Sequence, residues 1–354
     1  MIDDKNIFKT PISEYGEFGI IKHLTKNFEI RSPFTVKGIG DDASVSDPKN
    51  KKVLLSSDIL IENVHFNLAY TPLKHLGYKV VIAGISDIIA MNASPQQILI
   101  SIGVSNRFPV EALDEIYNGI HIACKHYNID LIGGDTVSSN SGLVLNVTAV
   151  GFADENEIVY RKGAQPNDLL IVSGDLGGAY FGLQVLEREN VAYKSNPNLQ
   201  PDLSEYSYIL ERQLKPEART DIKNLLKDMD IHPTSMIDIS DGLASEILHL
   251  SDQSNVGFSL YEEKIPIDNQ VITTAEEFGI NPITGILNGG EDYELLFTLP
   301  ITETDKIKHN PNFSIIGHAT QEIKNVLITK GNTQIIPLTA QGWEAYLNKK
   351  YTSK

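Results

Sequence analysis

Apolar positions along the chain gather into short runs separated by small and acidic residues. Lys52 to Ser57 (KVLLSS) is a run of the kind that forms a buried strand, and it leads directly into Asp58. From Gly77 to Met91 the spacing of Val80, Val81, Ile85, Ile88 and Ile89 predicts a helix, which ends before Pro95. Ile98 to Val104 reads as a strand and Val110 to Tyr127 as a helix. Leu131 and Ile132 lead into GGDT, and Leu143 to Phe152 is a further strand.

Around Ala153 to Asn156 (ADEN) the chain turns polar, and a second series opens with the strand-like Asp168 to Ser173 (DLLIVS). A domain boundary is expected there, giving domains of residues 1–153 and 154–354. The second is expected to hold a glycine loop, helices at Ala179 to Arg188 and Ala218 to Met229, and a surface loop at Asn190 to Leu203. The segment MIDISDGL, a helix to about Ser254 and strands at Gly257 to Leu260, Tyr293 to Leu299 and Phe313 to Ile316 complete it. Both halves mix strands with helices, so the class is α/β or α+β.

Length and composition agree with two globular domains, since 354 residues exceed one ordinary core and no repeat or polar tract interrupts them. The 46 acidic against 30 basic side chains, a formal charge of −16, argue against nucleic-acid or anionic-membrane partners. An acidic protein that handles phosphates needs cations between itself and its ligand, and divalent metal supplies them. The one cysteine, Cys124, permits neither an internal disulfide nor a thiolate cage, which implies a reducing compartment. With no signal-peptide pattern and no apolar run of membrane-spanning length, a cytoplasmic protein is expected.

Six segments share small residues beside carboxylates at strand ends or turns: GIGDDASV (38–45), SSDILIENVHF (56–66), ISDIIAMNASP (85–95), GGDT (133–136), DISDG (238–242) and GGEDYE (289–294). A carboxylate in a tight turn can aim several oxygens at a hard cation, and hydroxyls such as Ser56 and Ser57 add neutral oxygens; without His or Cys ligands, magnesium is favoured. One Asp-Gly pair alone is ordinarily a surface turn or helix cap; six in one chain point to metal. In DISDG the even spacing puts Asp238 and Ser240 on one strand face, and Asp241 begins the following turn. Asp87 interrupts an apolar helix, where a buried carboxylate requires a metal or a hidden arginine as partner.

Phosphoryl transfer suits such an inventory, because it asks chiefly for positioning and charge neutralisation. Neither a GxxxxGK[ST] loop nor the protein-kinase set is present. The loop GDLGG (174–178) has two readings, a phosphate cradle or a packing turn. Arg161 and Lys162 are either phosphate clamps or a solvated pair. His65, Tyr117 and Trp343 are either ligand contacts or incidental and core residues.

Taken in order, GEFGII (16–21), GIGDDASV, SSDILIENVHF, SDIIAMNASP, LIGGDT, GDLGGAYFGL, DISDGL and GGEDYELLFT resemble the signature series of the thiamine-monophosphate kinases, over nearly the whole chain. The wider superfamily includes aminoimidazole ribonucleotide synthetase and selenophosphate synthetase. The resemblance implies an N-terminal sheet that pairs across a homodimer and a C-terminal α/β domain, with ATP and several magnesium ions between the domains. It implies metal ligation by Asp42, Ser56, Ser57, Asp58, Asp87, Asp135, Asp238 and Asp241. It implies ATP contacts from Tyr117, Gly134, Asp135, Arg161 and Ser240, and thiamine-monophosphate contacts from His65, Glu291 and Trp343. Departures are small: Ser57 stands where threonine is common and Asn92 where glycine is usual. The expected reaction is direct attack by the acceptor phosphate on the γ-phosphate of ATP. The rival readings are another ATP-dependent member of the superfamily, such as an aminoimidazole ribonucleotide synthetase-like ligase, and a non-enzymatic divalent-ion-binding protein. Selenophosphate synthetase fits poorly, because Cys124 is the only cysteine.

Overall fold

Alternation of apolar residues builds the first sheet in the computed structural model, which describes residues 9–340 except Ser141, Leu199 and Thr333. Helix α1 (Gly16–Thr25) and a small hairpin, β1 (Thr35–Lys37) with β2 (Val45–Ser46), precede β3 (Lys52–Ile61). Then follow α2 (Leu73–Ala90), β4 (Ser94–Val104), α3 (Val110–Tyr127), β5 (Asp130–Ser138) and β6 (Val144–Ala153). The sheet order is β3-β6-β4-β5, antiparallel except for the β4–β5 pair. Helices α2 and α3 pack on each other, and α2 lies against the sheet.

The second half supplies β7 (Leu169–Ser173), α4 (Gly178–Ser195), α5 (Ser207–Leu214), α6 (Thr220–Asp228), β8 (Ser235–Asp238), α7 (Leu243–Ser254) and β9 (Gly257–Tyr261). It continues through α8 (Asn269–Phe278), α9 (Pro282–Asn288), β10 (Leu295–Leu299), α10 (Thr304–Ile307), β11 (Phe313–Thr320), β12 (Val326–Ile328) and β13 (Ile335–Pro337). These strands form a mixed seven-stranded sheet, β13-β12-β9-β11-β7-β10-β8, in which only β9 and β12 run parallel. Edge strand β8 lies against α2. One apolar core crosses the junction, joining Val81, Ile85 and Ile89 to Met236, Leu295 and Phe297.

Helix α2 is therefore covered on nearly all sides, from Leu76 to Ala90, which explains its largely apolar sequence. A helix in that position carries any polar side chain straight to the junction between the two sheets.

The structure departs from several sequence expectations. Strand β3 does not end at Asp58: Ile59, Leu60 and Ile61 continue the pairing with Val144, Leu145 and Asn146, so Ser56, Ser57 and Asp58 are mid-strand. The loop expected from Asn190 begins as helix, since α4 runs to Ser195. Helices α5, α8 and α9 were not anticipated from the sequence; caps start the last two, with Asp268 accepting from Gln270 N and Asn281 from Ile283 N.

Candidate active site

Asp58, Asp238 and Asp241 each lie within electrostatic reach of Asp87 where α2, β3 and the turn after β8 converge. Ser56 donates to Asp87 Oδ2 and lies 3.5 Å from Asp58 Oδ2. Ser86 Oγ donates to Asp238 Oδ2 at 2.5 Å, joining residues 152 apart in sequence. Burial pushes Asp58 up to about 6, with repulsion from Asp87 and more weakly from Asp241 adding to it, against the Ser56 hydrogen bond. Burial and then Asp87 likewise push Asp238 upward. Burial also raises Asp241, with His249 and Arg161 opposing it.

Burial is the largest cause of these raised values and repulsion among the acids adds to it; Arg161 is a cation whose field reaches Asp238, Asp241 and Glu246, and His249 also faces Asp241. Burial and the nearby Asp238 push Glu246 to about 8 as it accepts from Asp241 N at 3.0 Å. An all-oxygen donor set short of cations is the chemistry of a hard divalent ion. Among the described residues no three acidic, His or Cys side chains converge on one point. That openness fits magnesium, which is held by one or two carboxylates together with phosphate oxygens and water.

Asp87, Ser56, Asp238, Arg161 and Lys162 line one cleft of about 1020 Å³. The volume lies at the upper end of small-molecule sites, about 300–1,000 Å³. Ser240 sits in the same turn, pinned from below: Glu291 N donates to Ser240 O at 2.8 Å and Tyr293 N to Ile239 O at 2.9 Å. Gly290 permits this approach, for a Cβ there would lie 2.0 Å from Ser240 O.

Other expected ligands lie elsewhere. Asp42, Tyr117, Gly134 and Asp135 line a second cavity of about 620 Å³ at the β5 end of the first sheet. Strands β3 and β5 occupy opposite edges, so three inter-strand spacings, about 14 Å, separate Asp58 from Gly134. Ser57 and Ser56 were expected at one site, but neighbours in a strand face opposite ways. Ser57 Oγ bonds Thr148 Oγ1 and Asn146 Nδ2 on the face away from Ser56 and Asp58. Trp343 lies outside the described residues.

His65 and Glu291, expected to share an acceptor site, are within each other's electrostatic reach. Between them stands Lys79, which the sequence reading passed over; its Nζ is 2.8 Å from Glu291 Oε2. The signal was available, because Lys79 interrupts the same apolar helix as Asp87.

The GDLGG loop is a packing turn in this structure: Gly177 N and Ala179 N both donate to the buried Asp292. Asp292 and Glu294 of GGEDYE, sequence candidates for a metal loop, are engaged by backbone N–H groups and by Arg212 and Arg219. They hold the loop that carries Glu291 at a left-handed φ of 66°.

A family model for the AIR synthase related protein N-terminal domain matches residues 40–153. A thiamine-monophosphate kinase of Aquifex aeolicus (strain VF5) is 35% identical over 289 residues, 82% of this chain and 87% of that protein. One of Bacillus subtilis (strain 168) is 32% identical over 337 residues, 93% of this chain and 99% of the relative. The solved structure of AaThiL complexed with AMPPCP and TMP superposes with a TM-score of 0.74 at 30% identity, covering 96% of this chain and all of that one.

Proposed function

The chain belongs to the thiamine-monophosphate kinase family, and we propose that it transfers the γ-phosphoryl group of ATP to the phosphate of thiamine monophosphate, giving thiamine diphosphate and ADP. The observation that carries this reading is the cation-poor group of Asp58, Asp87, Asp238 and Asp241 lining the junction of two sheets. It is a phosphotransferase site without a protein nucleophile. An acceptor phosphate with a second pKa of about 6 is already largely dianionic at neutral pH, so an oxygen of the acceptor attacks the γ-phosphorus directly and the bond to the β-phosphate oxygen breaks. No general base is needed, and the carboxylates move no proton.

The main obstacle is repulsion between two polyanions. Asp58, Asp87, Asp238 and Asp241, one or two to an ion together with substrate phosphates, would hold magnesium, which would supply the neutralising charge. Ser56 and Ser86 orient the carboxylates of Asp87 and Asp238, and Arg161 adds a fixed positive charge at the cleft. Ser240, on the pinned turn, is placed for a phosphate contact.

Asp42, Ser57, Tyr117, Gly134 and Asp135 join this site through a second copy of the chain. Edge strands β3 and β5 offer unpaired backbone, and Val53, Leu55, Ile59 and Val137 present an exposed apolar face on the same sheet. A homodimer that covers this face brings the β5 end of one copy towards the β3 edge of the other. The domains are residues 1–153, which form the dimer, and 154–354, which close the site. Burial of Cys124 and the lack of a membrane-spanning helix among the described residues suit a cytoplasmic setting.

The direct test is purified protein with thiamine monophosphate and Mg-ATP, read by chromatography of both products. Equal amounts of thiamine diphosphate and ADP are expected. ATP hydrolysis without thiamine diphosphate, or no turnover, rejects the reading.

A further inference from the structure

Helix α2 carries Lys79 and Asp87 within its buried length, eight residues and about 12 Å of helix rise apart. Asp87 belongs to the acidic group. Lys79 is only 3% exposed, and its ammonium bonds Gln213 O at 3.0 Å and Glu291 Oε2 at 2.8 Å. Burying an ammonium costs several kcal/mol, and a well-packed apolar side chain is often at least as stable as a buried ion pair. Stability alone therefore gives little reason for a lysine here.

The arrangement makes geometric sense. Gln213 Nε2 also donates to Glu291 Oε2, at 3.1 Å. Two donors thus hold one oxygen, the backbone N of Glu291 is held by Ser240 O, and among the described residues no hydrogen bond engages Oε1. The Glu291 side chain remains 30% exposed. Lys79 and Gln213, with His65 and Tyr70, also line a pocket of about 190 Å³. That is below the about 300 Å³ lower end for whole small-molecule sites, a volume suited to one ring of a larger ligand.

We infer that Lys79 is a positioning residue for the acceptor: it holds Glu291 by Oε2 so that Oε1 accepts from the hydrogen-bond-donating ring end of the acceptor, whose phosphate then points along α2 towards Asp87. The inference rests on the function proposed above, and its chemical class is an aminopyrimidine-bearing phosphate ester. Helix α2 then serves as a spacer, with ring recognition at one end and phosphate at the other.

The test compares Lys79→Met, Lys79→Arg and Gln213→Leu with the wild-type chain, measuring KM for thiamine monophosphate and for ATP separately, kcat, and the thermal midpoint. Lys79→Met is expected to raise the acceptor KM at least tenfold while the ATP KM stays within about twofold; Lys79→Arg is expected to recover part of the loss. Gln213→Leu removes the second hold on Oε2 and gives a smaller rise of the same sign, which keeps the test decisive if Lys79→Met does not fold. An active wild type with an unchanged acceptor KM in the variants, or with both KM values rising together, overturns the role of Lys79. A wild type that forms no thiamine diphosphate rejects the function itself.

Discussion

Two sets of carboxylates, one fully buried and one half-buried apart from Asp238, lie within one molecule and meet opposite fates. Asp292 and Glu294 are each 1% exposed and have dedicated partners: Gly177 N and Ala179 N for Asp292, and Arg212, Arg219 and Ser173 for Glu294. Burial pushes Asp292 up to about 6, and Arg212 with the two N–H groups pulls it back. Asp58, Asp87, Asp238 and Asp241 have hydroxyls and one another, with a single arginine in reach. A buried charge with fixed counter-charges locks a loop; a buried charge without them calls for a cation that comes with the substrate.

The comparison is broken most severely at Glu294. Changing Glu294→Gln leaves Arg212 and Arg219 without their shared anion, and breaking such a buried pair costs about 3–5 kcal/mol. Urea unfolding measures it; an unchanged midpoint would remove the structural role assigned to GGEDYE. Asp87→Asn sharpens the other side. Turnover is expected to fall on the order of 10²-fold, about 2.7 kcal/mol of barrier, while stability without ligands stays level or rises because repulsion with Asp58 and Asp238 is relieved. A stability loss as large as that of Glu294→Gln would place Asp87 among the structural carboxylates instead.

The smallest effect concerns Glu217, a half-buried carboxylate that joins the two halves. Burial raises it, but hydrogen bonds from Lys215, Tyr127 and Tyr78 outweigh that and leave it below the ordinary carboxylate value of 4.5. Tyr78 OH and Tyr127 OH donate at 2.5 and 2.6 Å. A folded-state pKa below the unfolded one contributes stability that is present above about pH 4.5 and lost as pH falls through the lower folded value. Glu217→Gln is therefore expected to flatten the acid limb of the unfolding midpoint below about pH 4.5 and leave the neutral region with a modest, pH-independent change. An acid limb of unaltered slope contradicts the assignment.

Most of the frame was legible because its signals are local. The periods of α2, α3 and β6 mark each element without knowledge of its neighbours, and Asp87 stands out because it breaks one of them. The opposed faces of Ser56 and Ser57 were equally readable from the two-residue period of a strand; grouping both hydroxyls with Asp58 by composition hid it. Lys79 was missed for a related reason, since the apolar spacing that called the helix drew attention away from its one buried cation. Helices α8 and α9 begin at side-chain caps, Asp268 and Asn281, and α5 is held by the burial of Ile209 and Leu210.

The sequence by itself determined β3, α2, β4, α3 and β6 of the first half, the carboxylate-rich segments and, through their order, the family. Only the tertiary structure decided which carboxylates meet. Asp238 reaches Ser86 because edge strand β8 lies against α2, and Asp135 is kept away from Asp58 because β6 and β4 come between their strands. Periodicity is written along a few neighbouring residues, whereas these proximities depend on strand order and on which edge of one sheet packs against the helix of another. That is why GGEDYE and DISDG, alike in composition, end as an ionic lock and as part of a cation-poor site.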